Sequence, residues 1–367
     1  MVERIRKMKT YKHLYKNYIS DDNIRLAITN VCKHKMSRKE YSNLKEKSEE
    51  MIPWIKSFAN ADSFKNNKHK PTVIYDGIQR KKRTIIVPSF KEQIVHHMVV
   101  NILKPIIMKS LYEHSYGSIP KRGATLGRKR IEKWLKDYKG TKYCLKMDIK
   151  KYFDSVPHDI LKIKLDKIIK DEQFLKILYE IIDVNDKGLP LGFYTSQWLA
   201  NWYLSNLDHY IKEELGAKYY IRYMDDMIIF GSNKRKLHKM GIAIEKHLNI
   251  LGLTLKDNWQ IFPTESRGLD FMGFRFFRRK ITLRKSILLK ARRKAARIHN
   301  KDKPTIYDAK QMLSYLGWIK QTDTYDYYVK YLKELVNFQY LKRRISRYDK
   351  RMAKRARQFR ADALLGT

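Results

Sequence analysis

Asp225 and Asp226 are adjacent carboxylates set between Tyr219-Tyr220-Ile221-Arg222-Tyr223-Met224 and Met227-Ile228-Ile229-Phe230-Gly231. Aromatic and β-branched runs on both sides of a tight acidic connection predict a β-hairpin with both carboxylates at its turn. Paired aspartates beside such apolar strands are costly unless positive charge sits between them. A divalent cation meets that requirement, and a ligand set of hard oxygens selects magnesium. On its own an Asp-Asp pair fits a solvated hairpin tip better, so the reading needs a third acid.

That acid stands upstream. Tyr143-Cys144-Leu145-Lys146-Met147-Asp148-Ile149 predicts a strand with an acid at its end, followed by a turn and a helix opened by Pro157 and running through Leu165. A strand-end carboxylate together with a hairpin pair is a donor set for two magnesium ions, which sit about 3.5–4 Å apart and clamp the entering and leaving oxygens of an in-line phosphoryl displacement. The matching reaction is attack of a 3′-hydroxyl on an α-phosphate with loss of pyrophosphate. Charge builds on both oxygens, hence two ions.

With these segments in place the sequence resembles the reverse transcriptases. Asp148 followed by Phe153 is similar to the first catalytic block of that family, and Tyr223-Met224-Asp225-Asp226 to its signature third block. The resemblance runs from about Arg80 to Phe276, with the segments in family order. It implies an α+β, right-hand polymerase fold with fingers, an antiparallel-sheet palm and a helical thumb. It also implies that Asp148, Asp225 and Asp226 are catalytic and hold two Mg2+ ions, the Ile149 carbonyl completing one shell. Phe153 is by the same resemblance a steric gate against a ribose 2′-hydroxyl.

Composition points to a polyanionic partner. Lys+Arg of 79 against Asp+Glu of 38 gives a formal charge of +41 over 367 residues, which implies strong, salt-dependent binding. A membrane surface is the rival partner, but no apolar run approaches spanning length and no signal peptide opens the chain. Cys32 and Cys144 form no CxxC pair and suit a reducing cytoplasm. His96-His97, inside an expected helix, reads as structural or solvent-facing rather than metal-binding.

Taken in order, residues 1–70 form a basic helical region with apolar positions Ile24, Ile28 and Val31 and a break at Pro53-Trp54. Tyr11, Tyr15 and Tyr18 lie among lysines, either to stack single-stranded bases or to pack inward. Residues 71–277 form the interleaved fingers and palm. Thr72 to Tyr75 and Arg83 to Val87 predict two strands around Asp76-Gly77, with cations from Gln79-Arg80-Lys81-Lys82-Arg83. This resembles the fingertip hairpin that grips the incoming triphosphate, Arg83 first and Lys81 second; a guanidinium fork suits phosphate oxygens. From Lys91, Ile94, Val95, Met98, Val99, Ile102, Leu103 and Ile106 recur at helical spacing. A glycine-rich basic loop, Gly117 to Gly123, opens another helix through about Tyr138 and offers amides and Arg122 to a template strand.

Two amphipathic helices, about Ile160–Lys170 and Glu172–Asp183, lead to Gly188-Leu189-Pro190-Leu191-Gly192-Phe193-Tyr194-Thr195-Ser196-Gln197. A typical reverse transcriptase has glutamine where Leu191 stands and proline where Gln197 stands. The Leu-Gly-x-x-x-Ser-Gln form resembles the branch found in diversity-generating retroelements, as does the Gly117–Gly123 loop. Glutamine there hydrogen-bonds the incoming nucleotide, whereas Leu191 offers shape alone, which weakens discrimination. A helix follows from an N-cap at Thr195 or Ser196 to Gly216, with Trp198, Leu199, Trp202, Tyr203, Leu207 and Ile211 as its buried stripe. Then come a helix from Lys234 to Leu251 and Leu253-Thr254-Leu255-Lys256, similar to the block whose lysine protonates pyrophosphate, here Lys256. Phe271-Met272-Gly273 resembles the primer grip.

Residues 278–367 predict a basic helical thumb, with Ile306, Ala309, Met312, Leu313 and Leu316 as a core face and a cationic tail from Lys342 to Arg360. It suits an RNA–DNA duplex contacted through its phosphates. No ribonuclease cluster and no Cys/His nuclease module is visible. The expectation is a cytoplasmic, bacterial or phage-encoded RNA-directed DNA polymerase using deoxynucleotides and a template RNA, without a membrane partner. The resemblance adds adenine-directed errors on a template-repeat RNA and a small basic accessory variability protein. The rival readings are a group II intron-like or retron-type enzyme, and a non-catalytic RNA-binding scaffold.

Overall fold

A computed structural model describes residues 9–33, 39–76 and 81–365, with side chains at 39, 40, 42, 76, 81 and 355–365 outside the description. The chain divides into two units. The first comprises Met1–Asp76, Lys81–Gly127 and Asp137–Pro263.

At its centre is an antiparallel sheet built from the predicted apolar strands. In chain order the strands are β1 (Thr72–Asp76), β2 (Lys81–Ile85), β3 (Tyr143–Asp148), β4 (Tyr219–Tyr223), β5 (Asp226–Gly231) and β6 (Gln260–Pro263). The last four form one sheet in the order β4-β5-β3-β6, while β1 and β2 pair alone. β3 and β5 are almost wholly apolar, because β5 and β6 flank β3 on either side and Cys144, Leu145, Met147, Ile228 and Ile229 are buried. Helix Lys234–Ile250 packs across β3 and β5. Its Leu237, Met240, Ile244 and Leu248 recur every three or four residues and are buried.

Helix Phe90–Ser110 begins at a capping box in which Ser89 and Glu92 satisfy each other's backbone amides. It packs against helix Asp21–Cys32, whose Ile24, Ile28 and Val31 are buried, and against helix Tyr194–Tyr203. The N-terminal tyrosines serve packing. Tyr18 is buried and donates to the Ala59 carbonyl at 3.1 Å, and the Tyr15 hydroxyl accepts from the Ala61 amide. Base stacking is therefore not the use of these two rings.

Several local expectations are corrected. Pro53 breaks nothing: it lies inside helix Ser48–Phe58. The carbonyl its missing N–H leaves unbonded belongs to exposed Glu49, within reach of water. The helix expected to reach Tyr138 is Ala124–Trp134. The long helix from Thr195 or Ser196 starts earlier, after Phe193, because the Thr195 hydroxyl bonds the His96 ring instead of a backbone amide. It also breaks at Leu204, where Ser205 Oγ takes the Trp202 carbonyl, and resumes as Ser205–His209 and a wide π turn, Tyr210–Glu214. Gly216 ends it at φ +63°, as expected of a left-handed stop.

The second unit comprises, among the described residues, Arg128–Lys136 and the chain from Thr264 onward. Its sheet, β7 (Leu269–Phe271), β8 (Phe274–Phe276) and β9 (Ile281–Leu283), is antiparallel and in chain order. Helices Lys285–His299, Ile306–Ile319 and Phe338–Leu365 follow. Ala309, Met312 and Leu316 are buried, and Trp318 stacks on Phe274 with centroids 5.1 Å apart. Ile306 and Leu313 are only half-buried.

Candidate active site

Antiparallel pairing of β3 with β5 sets Asp148 directly opposite Asp226. Directly paired residues point to one face, so both carboxylates stand together. β4 and β5 pair up to Tyr223 opposite Asp226, leaving Met224 and Asp225 as the turn. The amide of Ile149 donates to the Asp225 carbonyl at 3.3 Å, fixing the turn against the end of β3. Asp148 thus meets the distant Asp225-Asp226 pair because strand register brings them together.

Their electrostatics are strained. Burial, then the charge of Asp148, raises the pKa of Asp225 above the ordinary carboxylate value, with Lys256 and Arg83 opposing. Lys256 Nζ lies 2.6 Å from Asp148 Oδ2, and the backbone of Lys256 also donates to the Asp148 carbonyl at 2.9 Å. Bridges from Ile149 to Leu255 and from Lys150 to Thr254 hold this segment in place. Lys146 Nζ is 3.7 Å from Asp226 Oδ2.

Asp148 Oδ1 is buried with no hydrogen-bond partner among the described residues. A buried carboxylate oxygen without a donor is what a cation would satisfy. Among the described residues no three histidine, cysteine, aspartate or glutamate side chains form a closed ligand cluster. Magnesium takes one or two carboxylates and completes its shell with substrate phosphates and water. The donor chemistry of Asp148, Asp225 and Asp226 fits the ion.

The other expected residues divide. Arg83 is exposed on β2, and its charge reaches Asp225. The Lys81 side chain lies outside the described residues, as do Gln79 and Arg80. Phe153, half-buried in the short helix Tyr152–Ser155, has its carbonyl held by the Leu189 amide at 2.6 Å. The Leu191 carbonyl accepts from the Ile86 amide at 2.7 Å. At Gly192 (φ +113°) an added Cβ would stand 2.1 Å from the Ile86 carbonyl oxygen, so only glycine permits this approach. Gln197 is exposed on helix Tyr194–Tyr203, and its carbonyl accepts from Asn201 Nδ2. Arg122 Nη1 donates to the Tyr112 carbonyl at 2.8 Å, so its guanidinium is engaged with its own chain.

Phe271, Met272 and Gly273 belong to the second unit. They form a hairpin turn with φ +52° at Met272 and +85° at Gly273; the Phe271 and Met272 side chains are buried, leaving mostly backbone to offer a ligand. His96 is buried, bonded to Thr195 and packed at a tilt against the Phe193 ring, and burial pushes its pKa down to about 3. His97 stacks on Tyr194. Both are structural.

Sequence reasoning missed Asp208, Asn201 and the role of Arg222. Asp208 shares a helical stripe with Leu204 and Ile211, and Arg222 lies in an apolar strand. Opposite charges on two faces both destined for burial are a signal that they pair.

The family described as reverse transcriptase (RNA-dependent DNA polymerase) matches residues 65–276, more than half of the chain. The chain belongs to the reverse transcriptase family. The group II intron-encoded protein LtrA of Lactococcus lactis subsp. cremoris is 26% identical over 142 residues, 36% of this chain and 23% of that protein. The retron Ec73 reverse transcriptase of Escherichia coli is 25% identical over 168 residues, 41% of this chain and 51% of that one. A solved telomerase of Candida tropicalis, bound to a fragment of telomeric RNA, overlaps 75% of this chain and 53% of its own at TM-score 0.47 and 15% identity. The chain spans roughly a fifth to a half of the length of the curated relatives it matches. The fold is the α+β reverse transcriptase fold, and no helix among the described residues is long and apolar enough to cross a membrane.

Proposed function

We propose that the protein is an RNA-directed DNA polymerase that adds deoxynucleotides to a primer 3′-hydroxyl. The observation that carries this reading is the convergence of Asp148, Asp225 and Asp226, with a buried Asp148 oxygen lacking any donor among the described residues. In the reaction the 3′-oxygen forms a bond to the α-phosphorus as the bond to pyrophosphate breaks, and the hydroxyl proton passes to solvent water. Magnesium held by the three carboxylates would supply charge for the entering and leaving oxygens. Asp148 and Asp226, opposite each other across β3 and β5, support this reading. Arg83 would bind the triphosphate from β2, and Phe153 would limit the sugar pocket. Lys256, 2.6 Å from Asp148, would give its Nζ proton to the departing pyrophosphate. Primer extension on an RNA template with magnesium and deoxynucleotides tests the reading. Synthesis that survives Asp225→Ala at the parental rate sinks it.

Within the family, Leu191, Gln197 and the Gly117–Gly123 loop support a role in a diversity-generating retroelement, copying a template-repeat RNA with errors at adenines beside a small basic accessory protein. The relatives named for a group II intron and a retron favour a second reading, an enzyme of that type. Sequencing of the cDNA separates the two: errors gathered at template adenines support the first, and errors spread over all four bases support the second.

A further inference from the structure

Arg222 and Asp208 are both 0% exposed, with Arg222 Nη2 2.6 Å and Nε 2.7 Å from the Asp208 oxygens. Burial opposes the guanidinium's charge, yet the Asp208 carboxylate wins and raises its pKa. Such pairs are not stabilising as a rule, and apolar replacements of similar volume often match them. The use made of the remaining donors is therefore informative. Arg222 Nη1 donates to the Met224 carbonyl at 2.9 Å, which is one half of the peptide joining Met224 to Asp225. Met224 sits at φ +56°, a left-handed conformation uncommon outside glycine.

The same turn is gripped from two other directions. Arg222 Nη2 also donates to the Asn201 carbonyl at 3.2 Å, and Asn201 Nδ2 reaches both Met224 Sδ at 3.3 Å and the Gly117 carbonyl at 2.8 Å. The Arg222 backbone is bonded on both sides, to His114 and Tyr116. A Cβ on Gly117 would stand 2.7 Å from the Met224 amide nitrogen, so this loop lies directly against the turn.

We propose that Arg222, oriented by Asp208 and joined by Asn201, is a positioning residue that fixes the Met224–Asp225 peptide and so holds the carboxylates in metal-binding geometry. The inference rests on the polymerase reading for its kinetic consequence but not for its metal readout. Lysine keeps the charge and loses the planar fork that serves Asp208 and Met224 together.

The test compares Arg222→Lys and the apolar double variant Arg222→Met with Asp208→Leu against the parent, using melting, Mn2+ titration calorimetry without nucleotide, and single-turnover primer extension. Folded variants with about ten-fold weaker Mn2+ binding and about 10²-fold lower kcat at little-changed KM for deoxynucleotide are expected. If Arg222→Lys does not fold, the double variant carries the test. A folded variant that binds Mn2+ and extends primers like the parent overturns the proposal. A parent that binds Mn2+ but extends nothing removes the polymerase reading, and the calorimetry still decides this one.

Discussion

Burial and the neighbouring Asp148 charge hold the Asp225 pKa above its ordinary value. The folded chain then keeps a proton at a pH where the unfolded chain has lost it. Stability therefore falls as pH rises from the unfolded pKa through the folded one, and above that window the cost is complete. Asp225→Asn removes the cost: without metal at neutral pH, its melting temperature should rise by about 1–3 °C in scanning calorimetry. If Asp225 holds the ion as proposed, magnesium should stabilise the parent more than the variant. A variant that melts lower than the parent would remove the picture of a carboxylate kept against the interest of the fold. Lys256 makes a different prediction. Its ammonium competes with any cation for Asp148, so Lys256→Met should bind Mn2+ more tightly in calorimetry while slowing single-turnover extension by about 10²-fold as a lost proton donor. Weaker binding together with slower extension would assign Lys256 a merely structural role.

Among the elements, the β1–β2 hairpin is tied to the loop before helix Tyr194–Tyr203 by the Ile86–Leu191 hydrogen bond and the close pass at Gly192. Gly192→Ala places a methyl against a carbonyl oxygen and strains the backbone at φ +113°. It should cost about 1–3 kcal/mol of stability in denaturant melts, and raise KM for deoxynucleotide more than it lowers kcat, because Arg83 rides on that hairpin. Leu191→Gln leaves the backbone bond intact and should instead lower the error frequency of the cDNA; an unchanged error spectrum would separate Leu191 from fidelity. Which elements could be read in advance follows from the range of the forces that form them. The 219–231 hairpin, the 90–110 helix and the Gly216 stop are set by neighbours a few residues away, and their patterns are written locally. The missing cap at Thr195 is not, because its hydroxyl is diverted to a ring 99 residues distant. Likewise the Asp148–Asp226 register and the Asp208–Arg222 pair need the folded sheet and helix to bring partners together.

For the whole molecule the governing quantity is a formal charge of +41. Charge in such excess repels itself in the folded chain and is relieved by a polyanion, whose condensed counterions are released on binding. The described acids are largely used at home: Asp208 on Arg222, Asp308 on Lys294 and Lys301, and Glu49 on Arg25. That leaves a large cationic surplus facing outward, including the arginines at 343, 344, 347 and 351 that line a cavity of about 400 Å³ on the last helix. If the surplus meets phosphates, affinity for RNA should fall steeply with salt, by about 10³–10⁵ between 50 and 200 mM when 6–10 phosphates are neutralised. Filter binding with RNAs of unrelated sequence should give the same slope, because phosphate binding carries no base identity. Replacing Arg343 and Arg347 with glutamine should flatten the slope by about one unit for each phosphate no longer neutralised. It should leave Mn2+ binding by the carboxylates unchanged in calorimetry. A slope that does not change in the double variant would place the phosphate-binding surface elsewhere than on this helix.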